Sequence, residues 1–188
     1  MNRQLSMFGV ALLILILITS VILGMAAGPT SPLTWLLVAF LIAIPFIHKR
    51  LTSRRYIEWQ ASYSVGIDSI DQQHKKLVNL INQLQTAVDY STGEEFEREA
   101  LDALVDYTKS HFGHEEALMQ KYGYPGYEPH TGEHKKMIRE VDNLLAEYDK
   151  DPEQAIRHAL NFLREWLINH INGTDKQYSG FLRDKGVK

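Results

Sequence analysis

HFGHEEALMQKYGYPGYEPHTGEH, residues 111–134, sets two pairs of metal-binding side-chain types on either side of a Gly/Pro-rich break. His111 and Glu115 stand four apart before the break, and His130 and His134 stand four apart after it. Residues four apart share one face of an α-helix. Each pair can therefore aim two ligating groups at one point, and two such pairs on consecutive helices describe a site held between helices. Gly123, Pro125 and Gly126 end the first of these helices, and Pro129 falls where a first helical turn tolerates proline.

Working outward, apolar residues recur at helical spacing on both sides. Leu77, Leu80, Ile81, Leu84 and Val88 mark a helix from near Ser69 or Asp71 to about Tyr90, with Ser69 and Gln72 fitting a capping box. His74 falls on its apolar stripe. Thr92 and Glu95 offer a second capping box for a helix over residues 94–121, with Phe96, Leu101, Leu104, Tyr107, Thr108 and Leu118 on or near its inner face. The third helix, from near Glu128, carries Met137, Val141, Leu144, Leu145 and Tyr148 inward. Asp151-Pro152-Glu153-Gln154 is a strong start for a fourth, which runs through Ile156, Leu160, Leu163 and Leu167 to His170. Gly173 weakens it, and a tail helix follows to about Asp184. No period-2 run suggests a strand. The expected fold is all-α, an up-down-up-down four-helix bundle.

The 188 residues carry a formal net charge of −3, unevenly spread. Every acidic residue lies at or beyond Glu58, and residues 56–188 hold 15 basic against 23 acidic side chains, a net charge of −8. That argues against a nucleic-acid surface, which needs a basic patch. The absence of cysteine excludes disulfides, thiolate zinc sites and iron–sulfur clusters. Residues 8–27 (FGVALLILILITSVILGMAA) form an uncharged run about as long as a membrane span, and residues 33–47 (LTWLLVAFLIAIPFI) a shorter one across the Gly28-Pro29 turn. The reading is two transmembrane helices, about 7–27 and 33–48, in a membrane anchor over residues 1–55 that precedes the bundle of residues 56–188. Arg3 stands before the first run, and Lys49, Arg50, Arg54 and Arg55 follow the second. By the positive-inside rule both ends face the cytoplasm, which places the chain in the cytoplasmic (inner) membrane as a multi-pass protein. A cleaved signal peptide is the alternative, although its apolar core is usually shorter, about 7–15 residues.

The polar residues on the apolar stripes need a common cause. Burying an imidazole or carboxylate without a partner costs several kcal/mol, on the order of 2–7. His74, His111, Glu115, His130, His134 and His170 spread that anomaly over all four helices. These donors exceed the roughly four that one zinc takes. Two six-coordinate irons offer about twelve positions, of which five imidazoles, two bridging carboxylates and a bridging oxygen fill all but about one. Asp175 is the candidate for the second carboxylate. It lies five after His170, about 140° away on a regular helix, so it joins only if the helix is distorted near Gly173.

These residues resemble the hemerythrins, specifically the bacterial hemerythrin-like proteins. The resemblance covers residues 57–182 and rests on His74, HFGHE (His111, Glu115), HTGEH (His130, His134) and HINGTD (His170, Asp175), with VGIDSIDQQHKKLVNLIN and WLINHINGTDKQY around them. It implies two non-haem iron ions with an oxo or hydroxo bridge. One would be held by His130, His134 and His170, the other by His74 and His111, with Glu115 and Asp175 bridging. Dioxygen would bind reversibly at the second iron, for storage, delivery or sensing, with no catalytic residue. Trp166, Leu167, Leu163, Leu104, Tyr107, Leu77 and Phe112 are the expected dry lining. The expected partners are dioxygen and the membrane, with a membrane oxygen-consuming enzyme or a second copy of the chain beyond them, and no nucleic acid. The enzyme alternatives are a di-iron centre acting on peroxide or nitric oxide, and a zinc peptidase in which HTGEH supplies Glu133 as base. His48, His114 and His158 receive no metal, His114 being read as exposed.

Overall fold

The computed structural model describes residues 3–28, 30–53, 55–90, 93–148 and 150–188. Its helices are α1 (Arg3–Ala27), α2 (Pro32–Ser53), α3 (Asp68–Tyr90), α4 (Glu94–Tyr122), α5 (Tyr127–Tyr148), α6 (Pro152–His170) and α7 (Lys176–Asp184). A short 3-10 turn, Ala61–Tyr63, precedes α3, and a π-helical turn, Ile171–Asp175, joins α6 to α7. Among the described residues there is no strand. The chain divides into two compact units, Met1–Tyr56 and Ile57–Lys188.

In the second unit each of α3 to α6 turns one apolar stripe inward. Leu77, Ile81 and Leu84 from α3 meet Leu101 and Leu104 from α4, Met137 and Val141 from α5, and Ile156, Leu160 and Leu163 from α6 in one buried core. Helices α3 and α4, α4 and α5, α5 and α6, and α6 and α3 are neighbours, the closed ring of a four-helix bundle with short loops. A second cluster closes one end of the bundle, where Val65, Ile67 and Ile70 pack with Met119 and with Tyr178 and Leu182 of α7. Asp71 ties the lead-in segment to α3 by accepting from the Val65 N–H and the Ser64 hydroxyl. Lys176 of α7 donates to the Ser62 carbonyl.

The helix ends follow local chemistry. Asp151 caps α6, its carboxylate accepting from the Gln154 N–H at 3.1 Å with Pro152 in the first turn. Gly123 ends α4 at φ 70°, the left-handed conformation that a glycine adopts without strain. Ser69 lies inside the first turn of α3, since that helix already begins at Asp68, so it is not the cap. Thr92 lies outside the described residues, and Gly93 holds the cap position of α4. Phe96, expected on the inner face of α4, is exposed near that helix's start.

In the first unit α1 and α2 approach closely at Gly24, where a Cβ would lie 2.5 Å from Oγ1 of the buried Thr34. The expectation of two transmembrane helices is overturned: among the described residues no helix is long and apolar enough to cross a membrane. The apolar run of α2 ends by residue 47, contains Pro45, and is followed by Arg50 in the last turn. The multi-pass location in the cytoplasmic membrane, and the membrane as partner, fall with it. The side chains of Arg3, His48 and Lys49, and all of Arg54, lie outside the described residues.

Core and cap differ in what their loss should cost. Leu84 is fully buried, so Leu84→Ala is expected to destabilise by about 2–5 kcal/mol, whereas Asp151→Ala loses one cap bond and about 1 kcal/mol. Urea unfolding followed by circular dichroism checks both, and equal midpoints in the two variants would contradict this packing.

Candidate metal centre

Each helix of the bundle delivers its share of the site from the stripe that also forms the core. His74 lies one turn before Leu77 and Val78 on α3; His111 and Glu115 lie on α4, and His130 and His134 on α5. His170 ends α6 and Asp175 ends the π turn. All seven are buried, none more than 5% exposed. The π turn is what admits Asp175. An i→i+5 turn carries residue i+5 back over residue i, which a regular helix would leave about 140° away. Asp175 Oδ1 thus lies 3.0 Å from His170 Nε2. The Asn172 amide bonds the Ile168 carbonyl at 2.9 Å within this segment, and α7, held by the Tyr178–Leu182 cluster, fixes its far side.

The five imidazoles turn their Nε2 atoms toward the two carboxylates. Glu115 Oε2 lies 3.6 Å from His111, 3.7 Å from His130 and 3.4 Å from His134, and its Oε1 lies 3.8 Å from His74. Asp175 lies 3.3 Å from His74 and 3.8 Å from His130, and the Nε2 atoms of His134 and His170 are 3.0 Å apart. The ligand atoms fall into two groups, Glu115 with His130, His134 and His170, and Glu115 with His74 and His111. Glu115 is common to both.

Hydrogen bonds from outside this cluster orient it. Gln73 Oε1 and Glu116 Oε1 lie 2.9 Å from Nδ1 of His111 and of His134 respectively. Both oxygens can only accept, so each Nδ1 carries the proton and each Nε2 presents a lone pair, the tautomer a metal requires. The Tyr178 hydroxyl donates to Glu115 Oε1. Phe112 stacks on His134 at 3.6 Å and Trp166 on His170 at 4.1 Å, which fixes two of the ring planes.

The charge state is one that cations stabilise. His74 Nε2, His130 Nε2, Glu115 Oε2 and both Asp175 oxygens are buried with no hydrogen-bond partner among the described residues. Buried carboxylates with such atoms are expensive unless paired or metal-bound. Burial would raise the Glu115 carboxyl, yet His111 first, and then the imidazoles of His130 and His134 close by, bring it well below its ordinary value. Burial and Glu115 push Asp175 up, and His170 and His74 outweigh them. Burial pushes His111 down to about 4. Burial also lowers His134, but Glu115 and Glu116 raise it on balance. Burial, then Glu115 and Asp175, raise the Tyr178 phenol well above its ordinary value, so it stays a donor. The residues fit a pair of metal cations.

The remaining sequence candidates sort by position. Leu77, Leu104, Leu163, Trp166 and Leu167 line a cavity of about 10 Å³ next to the site, together with Thr108. Tyr107 is not part of that lining and lies under the Lys76 ammonium, 4.2 Å from its ring. His114 is half-buried, not exposed, and its Nε2 is buried without a partner among the described residues. His158 is exposed. Glu133, the base of the peptidase alternative, is on the surface and binds Lys136 at 2.6 Å, away from the ligand groups. Sequence reasoning missed Gln73, Glu116 and Tyr178. Gln73 and Glu116 each neighbour a cluster residue in sequence, but each bonds a cluster histidine on a different helix, His111 and His134, which spacing within one helix cannot reveal.

Comparison with known proteins agrees with this geometry. Residues 65–182 match the family model "Hemerythrin HHE cation binding domain". Bacteriohemerythrin of Stenotrophomonas maltophilia is 37% identical over 123 residues, 64% of this chain and 78% of that protein. Bacteriohemerythrin of Methylococcus capsulatus is 32% identical, over 63% of this chain and 89% of its own length. A crystal structure of wild-type hemerythrin superposes with a TM-score of 0.59 at 30% identity, covering 67% of this chain and 97% of that one. The chain belongs to the hemerythrin family, whose members are di-iron oxygen-binding proteins and whose domain binds a di-iron centre.

The buried His111 gives a pH test on metal-free protein. Its folded value near 4 lies below the ~6.5 of an unfolded histidine, so between these values the unfolded chain binds the extra proton. The contribution of this residue to stability is full above about pH 6.5 and lost as pH falls toward 4. His111→Gln is expected to shallow the fall in urea midpoint across that window. Parallel profiles for the two proteins would show that His111 is not held neutral by burial.

Proposed function

We propose that this hemerythrin-family chain binds dioxygen reversibly at two non-haem irons. His130, His134 and His170 would hold one, His74 and His111 would hold the other, and Glu115 and Asp175 would be shared by both. The observation that carries this reading is the convergence of seven buried ligating groups, several with orphaned atoms, on one place between four helices. The irons, when bound, supply the redox chemistry that dioxygen binding needs.

The protein's own part is to bind, to orient and to keep the site dry. Gln73 and Glu116 fix two imidazoles from behind, and Tyr178 holds one oxygen of the bridging Glu115 as a protonated donor. Leu77, Leu104, Leu163 and Leu167 present hydrocarbon to the small cavity, a lining that excludes water. Thr108 directs its hydroxyl to the Leu104 carbonyl at 2.7 Å, so its proton is already committed. Five imidazoles to two carboxylates also differs from carboxylate-rich ferritin-like di-iron sites, with their Glu and Glu-x-x-His ligands. These features favour binding over turnover, and residues 56–188 carry them as one functional domain.

Purified full-length protein is expected to hold about two irons per chain and to show an oxygen-dependent visible absorption band that reverses when oxygen is removed. His111→Ala should lose that band and His114→Ala should keep it. A zinc-only preparation without the band, or rapid consumption of peroxide or nitric oxide in its place, would overturn the reading.

A further inference from the structure

An open groove of about 420 Å³ runs along the outer faces of α4 and α5, directly behind the metal centre. Its walls are built from Lys109, Phe112, Gly113 and Glu116 on α4 and His134, Lys135, Ile138 and Arg139 on α5. Three cations on one groove stand out in a unit whose net charge is −8. Among the described residues none of the three has an ion-pair partner, unlike Lys136 and Arg157, which are paired to Glu133 and Glu153. The carboxylate that also lines the groove, Glu116, is already bonded to His134. Between the cations lie carbon surfaces, the half-buried Ile138 and the small part of the Phe112 ring that is left exposed. Gly113 adds a bare patch of helix. Glycine is a poor helix residue, and nothing lies within 4 Å of where its Cβ would stand, so packing does not demand it there. A side chain at that position would fill the groove.

We propose that this groove is a binding site for a planar aromatic anion. The aromatic body would lie along Ile138 and the bare helix at Gly113, over the exposed part of Phe112, and the anionic group would sit among Lys109, Lys135 and Arg139. The volume is in the range of small-molecule pockets, about 300–1,000 Å³, and a few fixed charges around an apolar floor is how such pockets set orientation. Glu116 and His134 also line the groove, so an occupant would lie directly against one histidine of the metal centre.

Flavin mononucleotide is a suitable probe, titrated calorimetrically into the metal-loaded full chain. Riboflavin, which lacks the phosphate, and inorganic phosphate, which lacks the ring, serve as controls. The expected result is saturable 1:1 binding of flavin mononucleotide, at least tenfold weaker for each control. Lys109→Glu/Lys135→Glu should weaken binding at least tenfold, and Gly113→Leu should abolish it, with circular dichroism and the visible spectrum unchanged in both variants. Absence of saturable binding, or binding unaffected in correctly folded variants, would overturn the proposal. Phosphate binding as tight as that of the whole probe would overturn the role of the apolar floor.

Discussion

Two carboxylates buried among five imidazoles are the constraint on which this bundle depends. Glu115 and Asp175 are fully enclosed, and oxygens of both lack a hydrogen-bond partner among the described residues. A hydrocarbon interior does not tolerate such groups by themselves, because ionised carboxylates lose far more hydration than ordinary contacts restore. The surrounding histidines bring both carboxyls below their ordinary values, and carboxylate oxygens and imidazole nitrogens together make a donor set for a cation. Metal binding and folding are therefore linked: the same ion that gives the site its chemistry offsets the cost of its burial.

The π turn at residues 171–175 turns this constraint into a defined geometry. Six of the seven clustered groups come from regular helices whose pitch aligns them, but Asp175 is five residues beyond His170 and out of phase. One widened turn brings it round, and the tail helix locks the turn in place by packing Tyr178 and Leu182 against Val65, Ile67 and Met119. Tyr178 has a second part in this, since its hydroxyl reaches Glu115. The segment before α3, the end of α4 and the tail helix thus form a plug over one end of the bundle, and that plug positions both carboxylates.

Much of this was legible in the sequence, for stated reasons. Pairs four apart survive folding unchanged because a helix fixes their relative direction, and Asp151-Pro152-Glu153-Gln154 caps a helix through contacts within four residues. The phase conflict at Asp175 was also visible, and it pointed to a distortion near Gly173. What failed depended on distant partners. Gln73 and Glu116 could not be assigned without knowing which helices face each other. Phe96 follows the apolar stripe of α4 yet is exposed, since it lies near the helix start. The N-terminal runs are apolar in composition, yet among the described residues no helix is long and apolar enough to cross a membrane.

Anomalous diffraction at the iron absorption edge, from crystals of the metal-loaded protein, tests the central claim most directly. Two iron peaks are expected within the cluster, one against His130, His134 and His170, one against His74 and His111, with an oxygen of Glu115 and an oxygen of Asp175 on each. A single peak, or two peaks with Asp175 turned away from both, would contradict the account.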